Sequence, residues 1–284
     1  MARSPSPSAR SVGPPGRSPN RRATVDEHRA VLRAARTLAG ELDPEGRHAV
    51  LLAGSWARGD AHVASDVDLW VVGGRGRERV ENLERDGRYV SVKYLPVATA
   101  RREFRDPARF DGAVSGWRIA RVLRDPTGVA ARLKREARAF RWERVRRTRD
   151  AYVADQLAGW AEEVLKLLRA HETDERETAS VQRNLLANRM AVLRALELEI
   201  LWDTENGLWE RTARRAGRAF RVAQRAALGT DGGPWEASLE GALRLYSVVA
   251  RASRPLLRGE NRRIVAMACR RAGYPIETRA TRRR

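Results

Sequence analysis

The sequence predicts an α/β (α+β) domain followed by an all-helical bundle. Two features of the 284-residue chain predict it. Between residues 24 and 135, short apolar runs alternate with segments of helical spacing, as strands and helices packed in layers do. After about Glu136 the composition shifts, and long stretches of helical apolar spacing follow with polar or Gly/Pro breaks between them. A third feature sets the N-terminal limit. Residues 1–23 are rich in Pro, Ser, Gly and Arg with almost no apolar side chains, so they cannot bury enough surface to offset ordering and are expected to be a disordered tail. The expected division is 1–23 tail, 24–135 sheet-containing domain and 136–284 helical bundle.

Taken in order, Thr24 and Glu27 have capping-box spacing, and Val31, Leu32, Ala35, Leu38 and Ala39 continue as a helical stripe. Asp43-Pro44-Glu45-Gly46 reads as a turn. His48–Ala53 and Ser65–Val72 read as strands, and Arg88–Leu95 as a third. The charged stretch Arg77–Asp86 between them is expected to be helical. A fourth strand is expected near Trp117–Leu123, before Asp125-Pro126 opens a helix to about Ala139. In the second half, helices are expected at Trp142–Ala170, Glu177–Trp202, Trp209–Leu228, Trp235–Ala252 and Arg262–Arg271.

Composition narrows the function classes. With 42% hydrophobic and 32% charged residues the chain has the balance of a soluble globular protein. No apolar run approaches the ~20 residues a membrane span needs, and the N-terminus lacks the apolar core of a secretory signal. One cysteine, Cys269, excludes an internal disulfide, and with four scattered histidines it excludes a Cys/His zinc cluster. A cytoplasmic location is the expectation. The net charge of +20 comes from 53 arginines and three lysines spread along every segment. That distribution fits a coding bias; it also permits attraction to polyanions, nucleoside triphosphates among them.

The stretch Leu51–Val72, LLAGSWARGDAHVASDVDLWVV, carries the chemistry. A strand ends at Ala53, and Gly54-Ser55 forms a tight turn where the backbone can approach a ligand and successive N–H groups can cradle phosphate oxygens. Arg58 adds a cationic fork suited to phosphate. Asp66 and Asp68 lie two apart and share one strand face, while Val67, Leu69 and Val71 take the other. Paired carboxylates repel on a sheet face unless a cation joins them, and hard oxygen ligands at this spacing suit Mg²⁺. A phosphate cradle next to a two-carboxylate metal strand points to phosphoryl or nucleotidyl transfer.

These residues, Gly54-Ser55-x-Ala57-Arg58-Gly59 followed by Ser65-Asp66-Val67-Asp68-Leu69, resemble the signature of the DNA polymerase β nucleotidyltransferase superfamily, and most closely its small antibiotic-modifying members. The layout of a small mixed-sheet domain followed by a helical bundle is similar to that of kanamycin and lincosamide nucleotidyltransferases. The resemblance implies that Gly54 and Ser55 hold the phosphates of a nucleoside triphosphate donor and that Asp66 and Asp68 bind two Mg²⁺ ions. A hydroxyl of a small molecule or a protein then attacks the α-phosphorus and pyrophosphate leaves.

The family usually adds a third carboxylate from a later strand. Here that strand, Arg88–Leu95, carries Ser91 and Lys93 instead. Three readings follow: two carboxylates suffice, an acid such as Glu103 substitutes, or the chain binds nucleotides without turnover. In the kanamycin enzyme's family a glutamate on the helical domain acts as base, with a lysine one turn later near the phosphates. Glu162 and Lys166 have that spacing, which is also that of an ordinary surface ion pair.

Two rival functions therefore stand beside the transferase. One is a catalytically weakened, nucleotide-binding or antitoxin-like regulator; the other is a nucleic-acid-directed binder or RNA-end transferase, suggested by the charge. Trp202 and Trp209 read either as anchors of the bundle core or as walls of an acceptor pocket to which Asp203 and Glu205 attract a cation. Cys269 reads as inert packing. The acceptor, the preferred base and the oligomeric state are not legible.

Overall fold

The computed structural model describes residues 21–276 except Arg75 and Asp111; the expected tail lies outside the described residues up to residue 20. The chain divides into two compact units, residues 21–96 with Ile119–Ala131, and Val97–Arg118 with residues 132–276.

The first unit begins with α1 (Val25–Leu42), opened by the expected capping box: Thr24 and Glu27 exchange side-chain and backbone hydrogen bonds. Then follow β1 (Ala49–Leu52), α2 (Gly54–Arg58), β2 (Val67–Val72), β3 (Arg79–Arg85), β4 (Arg88–Leu95) and, after an excursion, β5 (Arg121–Arg124). The sheet is mixed, in the order β3-β4-β2-β1-β5, with only β2 and β4 parallel. Val31, Ala35, Leu38 and Ala39 of α1 pack on Val50, Leu52, Val67, Leu69, Val71, Val90 and Val92 of one sheet face. Each such large side chain contributes roughly 1.5–3 kcal/mol on burial. All four residues of β1 are fully buried, which accounts for its unbroken apolar sequence.

The stretch Arg77–Asp86 corrects the helix expected there, because it forms β3. Its register with β4 runs from Arg79↔Tyr94 to Arg85↔Arg88, closed by Asp86 and Gly87 at φ 52° and 72°. Two successive positive-φ residues define the hairpin turn that Asp-Gly favours. The charged composition reflects an edge strand, not a helix face. The expected strand at Trp117–Leu123 is likewise divided: α4 (Ala113–Ile119) takes Trp117, and only Arg121–Arg124 joins the sheet, antiparallel to β1. The Asp125 carboxylate accepts from the N–H groups of Ala130 and Ala131 at 3.2 and 2.9 Å, capping α5 (Val129–Arg138).

The second unit holds α3 (Val97–Glu103), α4 and the helices α6 (Arg146–Gly159), α7 (Ala161–Glu172), α8 (Arg176–Glu197), α9 (Glu205–Ala216), α10 (Arg218–Ala227), α11 (Trp235–Ala252) and α12 (Gly259–Arg271). Two helices expected to be continuous are broken, one at Trp160 and one at Gly217, whose φ is 89°. Residues 97–118 pack with this unit through side chains. Phe110 meets Phe140 and Trp142 edge-on at 5.6 and 5.4 Å, Arg101 forms a bidentate pair with Glu136, and Lys134 donates to the carbonyls of Trp117 and Arg118. Within the bundle, Tyr246 on α11 is fully buried and donates to the Leu157 carbonyl of α6 at 2.8 Å. Trp202 is buried as a core anchor, and Asp203 pairs with Arg211 at 3.1 Å. Cys269 is buried, and burial pushes its thiol up to about 11, so it packs as an inert group. Among the described residues no helix is long and apolar enough to cross a membrane.

Helices α10 and α11 cross at Gly241. A Cβ there would meet the Ala227 backbone nitrogen at 2.5 Å and the Ala226 Cβ at 2.6 Å. Gly241→Ala is expected to force the helices apart and to cost about 1–3 kcal/mol, seen as a lower urea midpoint.

Candidate active site

The site is assembled where the end of β1 lies beside the start of the antiparallel β2. The Ala53 N–H donates to the Asp68 carbonyl at 2.8 Å, so the start of the Gly-Ser segment is fixed to the strand that carries Asp68. Gly54 then turns with φ 62°, a left-handed conformation that glycine adopts without strain. The Asp68 carboxylate lies directly against it: a Cβ on Gly54 would fall 2.0 Å from Asp68 Oδ2 and 3.1 Å from its Cγ. Glycine is therefore required twice at this position, by conformation and by contact.

Gly54-Ser55 differs from the simple turn expected, because it opens α2. No side chain caps this helix at Ala53, and Gly59 closes it at φ 92° with its N–H on the Ser55 carbonyl at 2.8 Å. The first N–H groups of a helix have no partner inside it, and here no side-chain cap takes their place. Trp56, fully buried, anchors α2 from beneath. Its indole N–H donates to the Ser65 carbonyl at 3.3 Å, and the Arg88 guanidinium lies 5.3 Å from its ring. Ser65 in turn closes the connecting loop: its Oγ accepts from the His62 N–H at 2.9 Å, and its own N–H donates to the His62 carbonyl at the same distance. Arg88 donates to the Val63 carbonyl, and the Arg21–Ala23 segment pairs across Ala61–Val63. These groups hold the loop that delivers Asp66. Trp56 and Arg88 carry no local signal of this role, since Trp56 meets the Ser65 carbonyl nine residues on and Arg88 meets the Val63 carbonyl 25 residues back.

Asp66 is exposed and immediately precedes β2; Asp68 is half-buried on the strand. Burial pushes the Asp68 carboxyl up to about 6, the charge of Asp66 adds to the rise, and Arg58 partly opposes it. Arg58 is also tied to Asp60, Nε to Oδ2 at 2.7 Å. A half-buried carboxylate beside a second one, incompletely balanced by one guanidinium, has the chemistry of a divalent-cation ligand pair. Among the described residues no cluster of three or more His, Cys, Asp or Glu residues completes a cage. The pair thus fits a hard cation that takes its remaining ligands from water and phosphate oxygens.

The residues of β4 clarify the missing third acid. Ser91 is the register partner of Asp68, whereas Lys93 stands opposite Trp70 and pairs with Glu78 at 2.9 Å. Glu103 is buried at the end of α3, in the second unit. Glu162 and Lys166 lie in that unit too, on α7, where Lys166 Nζ pairs with Glu162 at 2.9 Å and with Glu163 at 3.1 Å. Those hydrogen bonds raise the Lys166 pKa. The first unit thus brings together Gly54, Ser55, Arg58, Asp66 and Asp68, and the second brings Glu162 to Lys166.

A pH dependence follows for the metal-free protein. A carboxyl whose pKa is raised on folding binds more protons folded than unfolded between the ordinary 3.8 and about 6. Stability contributed by protonated Asp68 is full below about pH 4 and is lost as pH rises to about 6, by roughly 2–3 kcal/mol. With EDTA present, Asp68→Asn is expected to remove this component and to leave the protein at pH 7.5 at least as stable as the parent, as thermal melts across pH will report.

Of the comparisons with known proteins, the family-model match covers the motif. No curated protein matches this chain. Among solved structures, the nucleotidyltransferase-like protein from Exiguobacterium sibiricum matches 85% of this chain and 80% of its own length, with 15% identity and a TM-score of 0.49. Residues 32–124, which run from within α1 to the end of β5 and include Gly54, Ser55, Asp66 and Asp68, match the family model of the nucleotidyltransferase domain.

Proposed function

We propose that the chain is a nucleotidyltransferase that moves a nucleoside monophosphate from a Mg²⁺-bound nucleoside triphosphate to a hydroxyl of a small molecule or protein. The observation that carries this reading is the packing of Asp68 on Gly54, which makes the Gly-Ser segment and the acidic strand one site. In this reading the uncapped N–H groups at the start of α2 and the Ser55 hydroxyl bind the terminal phosphates, aided by Arg58. Asp66 and Asp68 hold Mg²⁺, which when bound supplies charge neutralisation at the triphosphate and the acceptor oxygen. Asp68 accomplishes this as the carboxylate, so metal affinity falls below about pH 6 as it takes up a proton. Glu162 is the proposed base that accepts the proton of the acceptor hydroxyl, and Lys166 the proposed phosphate ligand; both now pair with each other.

A second reading, nucleotide binding without turnover, is favoured by one observation, that Ser91 stands in register with Asp68 where an acid is expected. Thermal melts with ATP, GTP, CTP and UTP, each with and without Mg²⁺, test both. A Mg²⁺-dependent rise for a nucleotide, lost in Asp68→Asn and Gly54→Ala, is the expected result; a ligand at 100 times its Kd stabilises by about 2.7 kcal/mol. Absence of any Mg²⁺-dependent rise at millimolar nucleotide overturns the site assignment. Pyrophosphate release then separates the two readings, since turnover produces it and binding alone does not.

A further inference from the structure

The second unit contains a cleft of about 680 Å³ that the proposed transfer does not use. Arg101 on α3 and Phe104 and Arg105 at its end form one side, and Glu136, Phe140, Arg141, Arg144 and Thr148, around the connection between α5 and α6, form the other. We propose that this cleft binds a small phosphorylated molecule through Arg105, Arg141 and Arg144.

The charge balance is the main argument. Four guanidinium groups line the cleft against one carboxylate, and that carboxylate, Glu136, is already taken by Arg101 in a bidentate pair. Arg58, Arg194 and Arg214 elsewhere in the chain each meet a carboxylate within 2.7 Å. Among the described residues no carboxylate pairs with Arg105, Arg141 or Arg144; Arg141 donates only to the carbonyls of Arg138 and Phe140. Arg118, which feels the charge of Arg141, is half-buried and donates to the Ala137 carbonyl. Burial and then the neighbouring Arg141 charge depress its pKa; burial and then Arg138 depress that of Lys134. Arg118 with Arg141, and Lys134 with Arg138, thus place like charges close together.

The ligand class follows from the lining. Guanidinium forks match the spacing of phosphate oxygens and bind them bidentately. The Thr148 hydroxyl supplies a further polar contact, while Phe104, Phe140 and Val145 give an apolar wall. The volume is that of a small-molecule pocket and exceeds what one phosphate needs, so there is room for an organic body.

The test uses the full-length Asp68→Asn protein in EDTA, so that the metal-dependent site does not contribute. Inorganic pyrophosphate, the ribonucleoside 5′-monophosphates and a single-stranded oligoribonucleotide are titrated calorimetrically at two salt concentrations. The expected result is saturable binding of pyrophosphate or a monophosphate that weakens at least tenfold in Arg141→Gln/Arg144→Gln. Both residues are exposed, so that variant should keep its melting temperature. Binding of only the oligonucleotide, with a steep loss on adding salt, overturns the small-molecule assignment in favour of a polynucleotide surface. Binding unchanged in the double variant, or no binding of any of these, overturns the site.

Discussion

The contact between the Asp68 carboxylate and the Gly54 backbone organises the candidate site of the first unit. It joins two chain segments 14 residues apart, and it leaves no volume for any side chain at position 54. Everything around it serves that apposition. Strands β1 and β2 bring the segments into register, Trp56 pins the short helix, and Ser65 with His62 sets the path of the intervening loop. The cost is electrostatic: a carboxylate is held half-buried beside another, in a state that a cation relieves and that water alone does not. Functional sites commonly retain such destabilised groups because activity depends on them.

Much of this was legible in the chain because its signals are local. A strand, a glycine, a serine and two acids at alternate positions declare themselves within a short window, and so does the capping box at Thr24. Other features depend on partners distant in sequence. The β3 strand looked helical because its residues are charged; its true signal was Asp86-Gly87, a hairpin turn read only once the strand after it is paired backwards. Residues 97–118 carry no compositional mark of belonging with the helices, since Phe110, Phe140 and Trp142 find one another only in three dimensions. The breaks at Trp160 and Gly217 were hidden because apolar periodicity continues through them.

The abundance of arginine takes on different meanings at different positions. At Arg149 it is structural: the guanidinium is buried and satisfied by Asp150 and Glu199. At Arg88 it braces a loop and an indole ring. At Arg189, Tyr152 and Gln156 accept its hydrogen bonds and the Tyr152 and Trp160 rings lie within 6 Å. Composition alone records a charge of +20; the fold divides it into charges that are balanced and charges that are available.

The two margins of the sheet have a consequence for solution behaviour. An open strand offers unpaired N–H and C=O groups to any other extended chain. On the β3 margin, Arg79, Glu81, Glu84 and Arg85 mix both signs along the strand and stand on both faces. On the β5 margin, a strand of four residues begins and ends in arginine. A neighbouring chain that tried to extend the sheet at either side would have to strip water from charges it does not match. The same arginines and glutamates that obscured β3 in the sequence therefore act as guards against fibre-like association.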